Sequence, residues 1–164
     1  MHATHEFRTI TRWTGNLGSG TSGYRNYSRD HVVGGVGKAA EIAGSSDPVF
    51  RGDRSRYNPE ELLVASLSTC HMLWMLHLCA DAGIVITHYE DAASGTMSIH
   101  EDGGGEFTRV VLRPRMTITD RARVADAKNL HQRASELCFI ARSVRFPVEH
   151  EPEVLVEALT PQSR

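Results

Sequence analysis

The chain has 164 residues, a formal net charge of −2, 40% hydrophobic and 23% charged residues. That length suits a single domain over residues 1–164 with a real core, and the near-neutral charge gives no electrostatic footprint for nucleic acid. No basic start leads into an apolar run, so no signal peptide is expected and the expected location is the cytoplasm. The three cysteines do not form a structural disulfide framework in that compartment, so a disulfide here would be transient and catalytic.

Residues 5–14 read as a strand, with Phe7, Ile10 and Trp13 apolar and Thr9, Thr11 and Thr14 suited to a pleated surface. Gly15-Asn16-Leu17-Gly18-Ser19-Gly20 is a turn, and a second strand is expected through Tyr24 and Tyr27 to Val33. From Gly34 to Tyr57 the chain is rich in Gly, Ser, Asp and Pro and reads as a long, mostly irregular connection, of a length that is often functional. A long helix then starts on clear signals. Asn58 caps, Pro59 takes the first helical position, and Glu61 completes a capping box, which leaves Glu60 without a capping role.

This helix, about 58–82, is apolar almost all round from Leu62 to Ala80 and is expected to be buried on most sides. Its length would also suit a membrane span. Ser66, Ser68, Thr69, His71 and His77 within it, and the lack of a basic flank, argue against that. After Gly83, strands at about 84–101 and 106–118 form a hairpin across Asp102-Gly103-Gly104-Gly105. Asp120 caps a second helix, about 120–138, with Val124, Ala127, Leu130, Ala134 and Leu137 on one face. Pro147 and Pro152 bracket an exit segment, and Val154-Leu155-Val156 is a last strand. The fold class is α+β, with mostly antiparallel sheet around a long buried helix. One chain is too small to cover such a helix, so a second copy is expected to complete its burial.

Cys70 stands mid-way along the long helix and Cys138 alone near the end of the later one. The pair invites a redox chemistry in which one sulfur attacks and the other closes a disulfide. Only a thiolate attacks efficiently, and an ordinary cysteine has a pKa of about 8.5, so a nearby cation is needed. A guanidinium supplies that charge and a carboxylate fixes it by paired hydrogen bonds. Attack on a peroxide leaves a sulfenic acid, a second thiol traps it as a disulfide, and an outside thiol restores both sulfurs.

The run Asn58-Pro59-Glu60-Glu61-Leu62-Leu63, followed by Ala65 and Thr69-Cys70-His71, resembles the OsmC/Ohr superfamily of osmotically inducible and organic-hydroperoxide-resistance proteins. Trp13-Thr14-Gly15, the second cysteine and the length also fit, and the likeness is greater to the OsmC-like branch. The resemblance implies an intertwined homodimer acting as a thiol peroxidase in stress defence, with organic hydroperoxides, and hydrogen peroxide to some extent, as substrates. It implies Cys70 as the peroxidatic residue, Cys138 as the resolving one, and Glu60 as the carboxylate that holds an arginine. No metal, haem or flavin cofactor is implied. Two departures stand out. The first turn carries Gly18-Ser19-Gly20 with no arginine, which makes Arg25 the first candidate and Arg29, Arg51, Arg54 and Arg56 alternatives; and Phe139 follows Cys138 where the family usually has proline.

Glu60 and Cys70 are ten residues apart, about 15 Å along a continuous helix. A glutamate cannot bridge that, so a shared site would take Glu60 from the partner's helix. Cys79 reads as core packing. Cys70, His71, His77 and Cys79 form no recognised zinc set, and His71 points about 100° away from Cys70, poorly placed as its base. Trp74 with Met72, Leu73, Met75 and Leu76 lines either the core or the mouth of an apolar pocket. Gly34-Gly35-Val36-Gly37-Lys38 fails as a phosphate loop, because Val32 stands where the first glycine belongs and Ala39 replaces Ser or Thr. The alternative to a peroxidase is a non-catalytic dimer of the same fold that binds a small apolar ligand, with Cys70 a core residue; a cysteine hydrolase is a third reading.

Overall fold

A computed structural model describes residues 4–158. The chain falls into two compact units, divided after Leu62. In the first, β1 (Ile10–Trp13), β2 (His31–Gly34) and β3 (Ile42–Gly44) form an antiparallel sheet in the order β1-β2-β3. Trp13 pairs with His31, and His31 with Gly44.

The first strand is shorter than the sequence suggests, and no strand covers Tyr24 to Tyr27. Those tyrosines hold an arginine instead: the Arg29 guanidinium lies 4.3 Å from the Tyr24 ring centre and 4.2 Å from that of Tyr27. The excursion before it is tied by side chains. Asn16 Oδ1 accepts from the amides of Gly18 and Gly20, and Trp13 Nε1 donates to the Ser28 carbonyl at 2.8 Å.

The connection expected to be irregular contains β3 and a 3-10 turn at Pro48–Phe50. Asp47 caps that turn through the Val49 amide at 2.8 Å, and the buried Ser45 hydroxyl accepts from the Asp53 amide at 3.1 Å. Gly52 is needed for close approach, since a Cβ there would meet the Ser46 carbonyl oxygen at 1.5 Å.

The division between the units lies inside α1 (Pro59–Asp81). Its capping box is closed in both directions: Glu61 N–H donates to Asn58 Oδ1 at 2.7 Å, and Asn58 N–H to Glu61 Oε2 at 3.0 Å. It ends in a Schellman motif, with Gly83 at φ 69°, Gly83 N–H on the Ala80 carbonyl and Ile84 N–H on that of Cys79. Burial differs from the expectation. Only the stripe Leu67, His71, Met75 and Cys79, at i, i+4 spacing, is fully buried, while Leu73 and Leu76 stay exposed at 61% and 39%. The helix is apolar on a side that its own chain does not cover.

The second unit continues with β4 (Ile86–Asp91), β5 (Ser94–Ile99), β6 (Gly105–Leu112), β7 (Pro114–Ile118), α2 (Val124–Leu137), β8 (Val148–His150) and β9 (Glu153–Val156). The predicted hairpin is present, but each of its long strands is broken. β5 pairs with β6, and β4 with β7, in separate sheets of order β5-β6-β8 and β4-β7-β9. Asp91 and Arg113 hold the break. Asp91 accepts from the Arg113 amide and the Ser68 hydroxyl, both at 2.6 Å, and the Arg113 side chain reaches Ser94 and Glu151.

Asp120 caps as expected, but caps a 3-10 turn at Arg121–Arg123, so α2 starts only at Val124. The exit segment contains β8, which the two prolines mask in the sequence. β8 and β9 pair parallel to β6 and β7, leaving four antiparallel ladders among six, so the sheets are mostly antiparallel as expected. The larger core joins Met75 and Cys79 of α1 to Met116 and Ile118 of β7 and to Ala127 and Ala134 of α2.

Candidate active site

α1 carries Cys70 half-buried, and Cys138 is the residue that closes α2, 1% exposed. The structure places these two thiols near enough for Cys70 to influence the titration of Cys138. Burial first, and the neighbouring Cys70, push the Cys138 thiol up to about 11, against the pull of the Ala141 amide, which donates to its Sγ at 3.4 Å. Cys138 therefore keeps its proton near neutrality. No proline is needed to turn the chain here. Phe139 and Ile140 lead into a 3-10 turn at Ala141–Ser143, and the Ser143 hydroxyl donates to the Phe139 carbonyl at 2.7 Å. Phe139 is exposed and meets Trp74, one helical turn beyond Cys70, edge to face at 5.7 Å.

Cys79 is fully buried, with its thiol pushed up to about 11 by desolvation and only partly offset by Arg123. It is an inert core thiol.

Glu60 and the candidate arginines belong to the other unit. Glu60 is half-buried in the first turn of α1 and, among the described residues, forms no hydrogen bond or ion pair. Arg25 is exposed and likewise unpaired among the described residues. Arg29 is more ordered: besides the two tyrosine rings, its Nη1 donates to the Tyr27 carbonyl at 2.9 Å, and its buried Nη2 has no protein partner among the described residues. Arg56 leans on Asp30 and Asp53 at 3.7 and 3.6 Å.

The sequence reading misses a cluster of three imidazoles. His71 of α1 and His131 of α2, 1% and 0% exposed, are joined by a 2.9 Å bond between His71 Nε2 and His131 Nδ1. The half-buried His150 of β8 lies 5.7 Å from the first ring and 6.4 Å from the second. Burial lowers His71 to about 4, with His150 adding to the effect; burial also lowers His131 to about 3, with His71 and His150 adding. His131 stands in the apolar stripe of α2 between Ala127 and Ala134, and that interruption was its only signal. His77 lies outside the cluster, exposed beside Asp81. Among the described residues no three His, Cys, Asp or Glu side chains are grouped to hold a metal ion.

A family model described as OsmC-like protein matches residues 52–153, more than half of the chain. The chain belongs to the OsmC-like family. An OsmC-like protein of unknown function from Vibrio cholerae is similar at 30% identity and TM-score 0.80, over 91% of this chain and 99% of that one. The fold is shared with an organic hydroperoxide resistance protein from Elizabethkingia anophelis, at 16% identity, TM-score 0.65, and coverage of 96% and 100%. It is shared also with one from Legionella pneumophila, at 17%, 0.61, and coverage of 93% and 100%. No curated protein matches the chain.

Proposed function

We propose that this OsmC-like chain is a thiol-dependent reductase of organic hydroperoxides, acting in peroxide resistance. The observation that carries the reading is the convergence of two free thiols, the half-buried Cys70 of α1 and the buried Cys138 at the end of α2, near enough for one to raise the other. Two neighbouring reduced sulfurs, one half-exposed and one sealed, suit a two-step thiol mechanism. The Cys70 thiolate attacks the distal peroxide oxygen, the O–O bond breaks, and the alkoxide leaves and takes a proton as the alcohol. The resulting sulfenic acid meets the Cys138 thiol, an S–S bond forms, and water departs. An external dithiol or other thiol reductant then reduces the disulfide. That the fold is shared with organic hydroperoxide resistance proteins supports the same substrate class.

The guanidinium that assists the attack is better assigned to Arg29 than to Arg25. A charge aimed at peroxide must be held in place with a donor to spare, and Arg29 is clamped by two rings with one nitrogen unspent. Glu60, free of capping duty, is the carboxylate that steadies it. Because α1 is continuous from Pro59 to Asp81, Glu60 cannot serve Cys70 of its own chain, so the working unit is a homodimer with shared sites. Cumene hydroperoxide added to the reduced protein is the test. Loss of both thiols, abolished by Cys70→Ser and converted to a dimedone-trapped sulfenic acid by Cys138→Ser, is the expected result. A folded protein whose Cys70 stays reduced would instead be the ligand-binding dimer.

A further inference from the structure

We propose that the buried hydrogen bond between His71 and His131 is a positioning device that sets the approach of Cys138 to Cys70. The inference deepens the proposed function, since it takes the two thiols as a redox pair, but it does not require peroxide to be the oxidant.

The geometry is that of a tie. The ring planes are 13° apart and the centroids 5.3 Å apart, which with nitrogens 2.9 Å apart describes two rings joined edge to edge. One ring donates its N–H and the other accepts, so the pair holds together as two neutral imidazoles. Among the described residues it is the only side-chain hydrogen bond between α1 and α2. Its ends lie close to the sulfurs along the chain. His71 follows Cys70 directly, and His131 precedes Cys138 by seven residues, about two turns of helix. Rotation or sliding of α2 against α1 would carry Cys138 with it.

The tie is retained at a cost. His131 Nε2 is buried without a protein partner among the described residues, and an unpaired buried nitrogen is unfavourable where Leu or Ala would pack freely. Directional contact is what an imidazole offers in exchange, because apolar side chains permit several packings where a hydrogen bond permits one. The titratable groups facing the pair are the two rings themselves and His150, which closes the cluster from β8.

The experiment equilibrates the wild type, His131→Leu and His131→Gln with reduced and oxidised glutathione at pH 7.5. It reads the effective concentration of the Cys70–Cys138 disulfide, with circular dichroism confirming that each variant is folded. Two thiols give up two electrons and two protons to the oxidised glutathione, which leaves as two thiols. Leucine should lower the effective concentration about fivefold, the worth of one net hydrogen bond in an equilibrium constant. Glutamine, which can still donate or accept there, should restore it to within about twofold of the wild type. Nitrogen-15 histidine spectra should show a shared, exchange-protected ring N–H in the wild type that is absent from the leucine variant. Equal effective concentrations in wild type and a folded leucine variant would overturn the proposal, as would a loss that glutamine does not repair. Wild type that forms no Cys70–Cys138 disulfide at all would overturn the redox pair itself, a result distinct from equal values.

Discussion

In the proposed cycle Cys138 is the thiol held in reserve, and its burial makes it hard to ionise. A thiol raised to about 11 stays protonated near neutrality, and on the proposed mechanism it would give up its proton on attacking a sulfenic acid at Cys70. Removing it should therefore leave the first turnover of peroxide intact. Cys138→Ser treated with excess cumene hydroperoxide should gain two oxygens at Cys70 by mass spectrometry, while the wild type stops at a disulfide. The buried histidines carry a second expectation. Folded His71 and His131 titrate at about 4 and about 3, against 6.5 for a free ring. Below 6.5 the unfolded chain takes up protons that the folded chain refuses. Stability is thus full above about 6.5 and falls with acid until the folded values are reached. Between pH 7.5 and 5 the loss should be about 2 kcal/mol per ring, read from urea midpoints, and His131→Leu should flatten the slope. At this scale the sequence was legible where local signals place a residue, as with Cys70 mid-way along α1, and opaque where the meaning lies in a contact between distant elements. His71 looked like a neighbour of Cys70 and His77, whereas its partner is 60 residues away.

Helix boundaries were legible because their causes are local. Asn58, Pro59 and Glu61 at one end and Gly83 at the other fix α1 through bonds that span only a few residues. Asn58→Ala should cost about 1 kcal/mol, lowering the thermal midpoint by about 2–4 °C in calorimetry. The strands were less legible. Alternation over 84–101 and 106–118 gives no sign of a break, because the break depends on Asp91 accepting from Arg113 and on Arg113 reaching Glu151 across 38 residues. The turn at Tyr24 to Tyr27 misled for a related reason: aromatic residues favour strands on average, but here they are spent on Arg29.

The whole molecule is marked by the apolar face that α1 leaves uncovered. Leu73 and Leu76 stay exposed beyond Cys70, and a helix of that composition is expected against another apolar surface. A second copy of the chain would supply both the cover and Glu60. Light scattering should give twice the chain mass, and Leu73→Glu should reduce it to one. The shared site has its own check. Cys70→Ser and Glu60→Gln proteins, each inactive alone, should regain about a quarter of wild-type peroxide reduction when unfolded, mixed equally and refolded together.

The two final strands hold a further consequence. β8 and β9 are separated by only Glu151 and Pro152, yet each completes a different sheet, alongside β6 and β7. During synthesis, both sheets must wait with an open edge until residue 156 has cleared the ribosome. Until then β6 and β7 each present a strand edge open to proteases and to mispairing, and covering both falls to the short stretch 148–156.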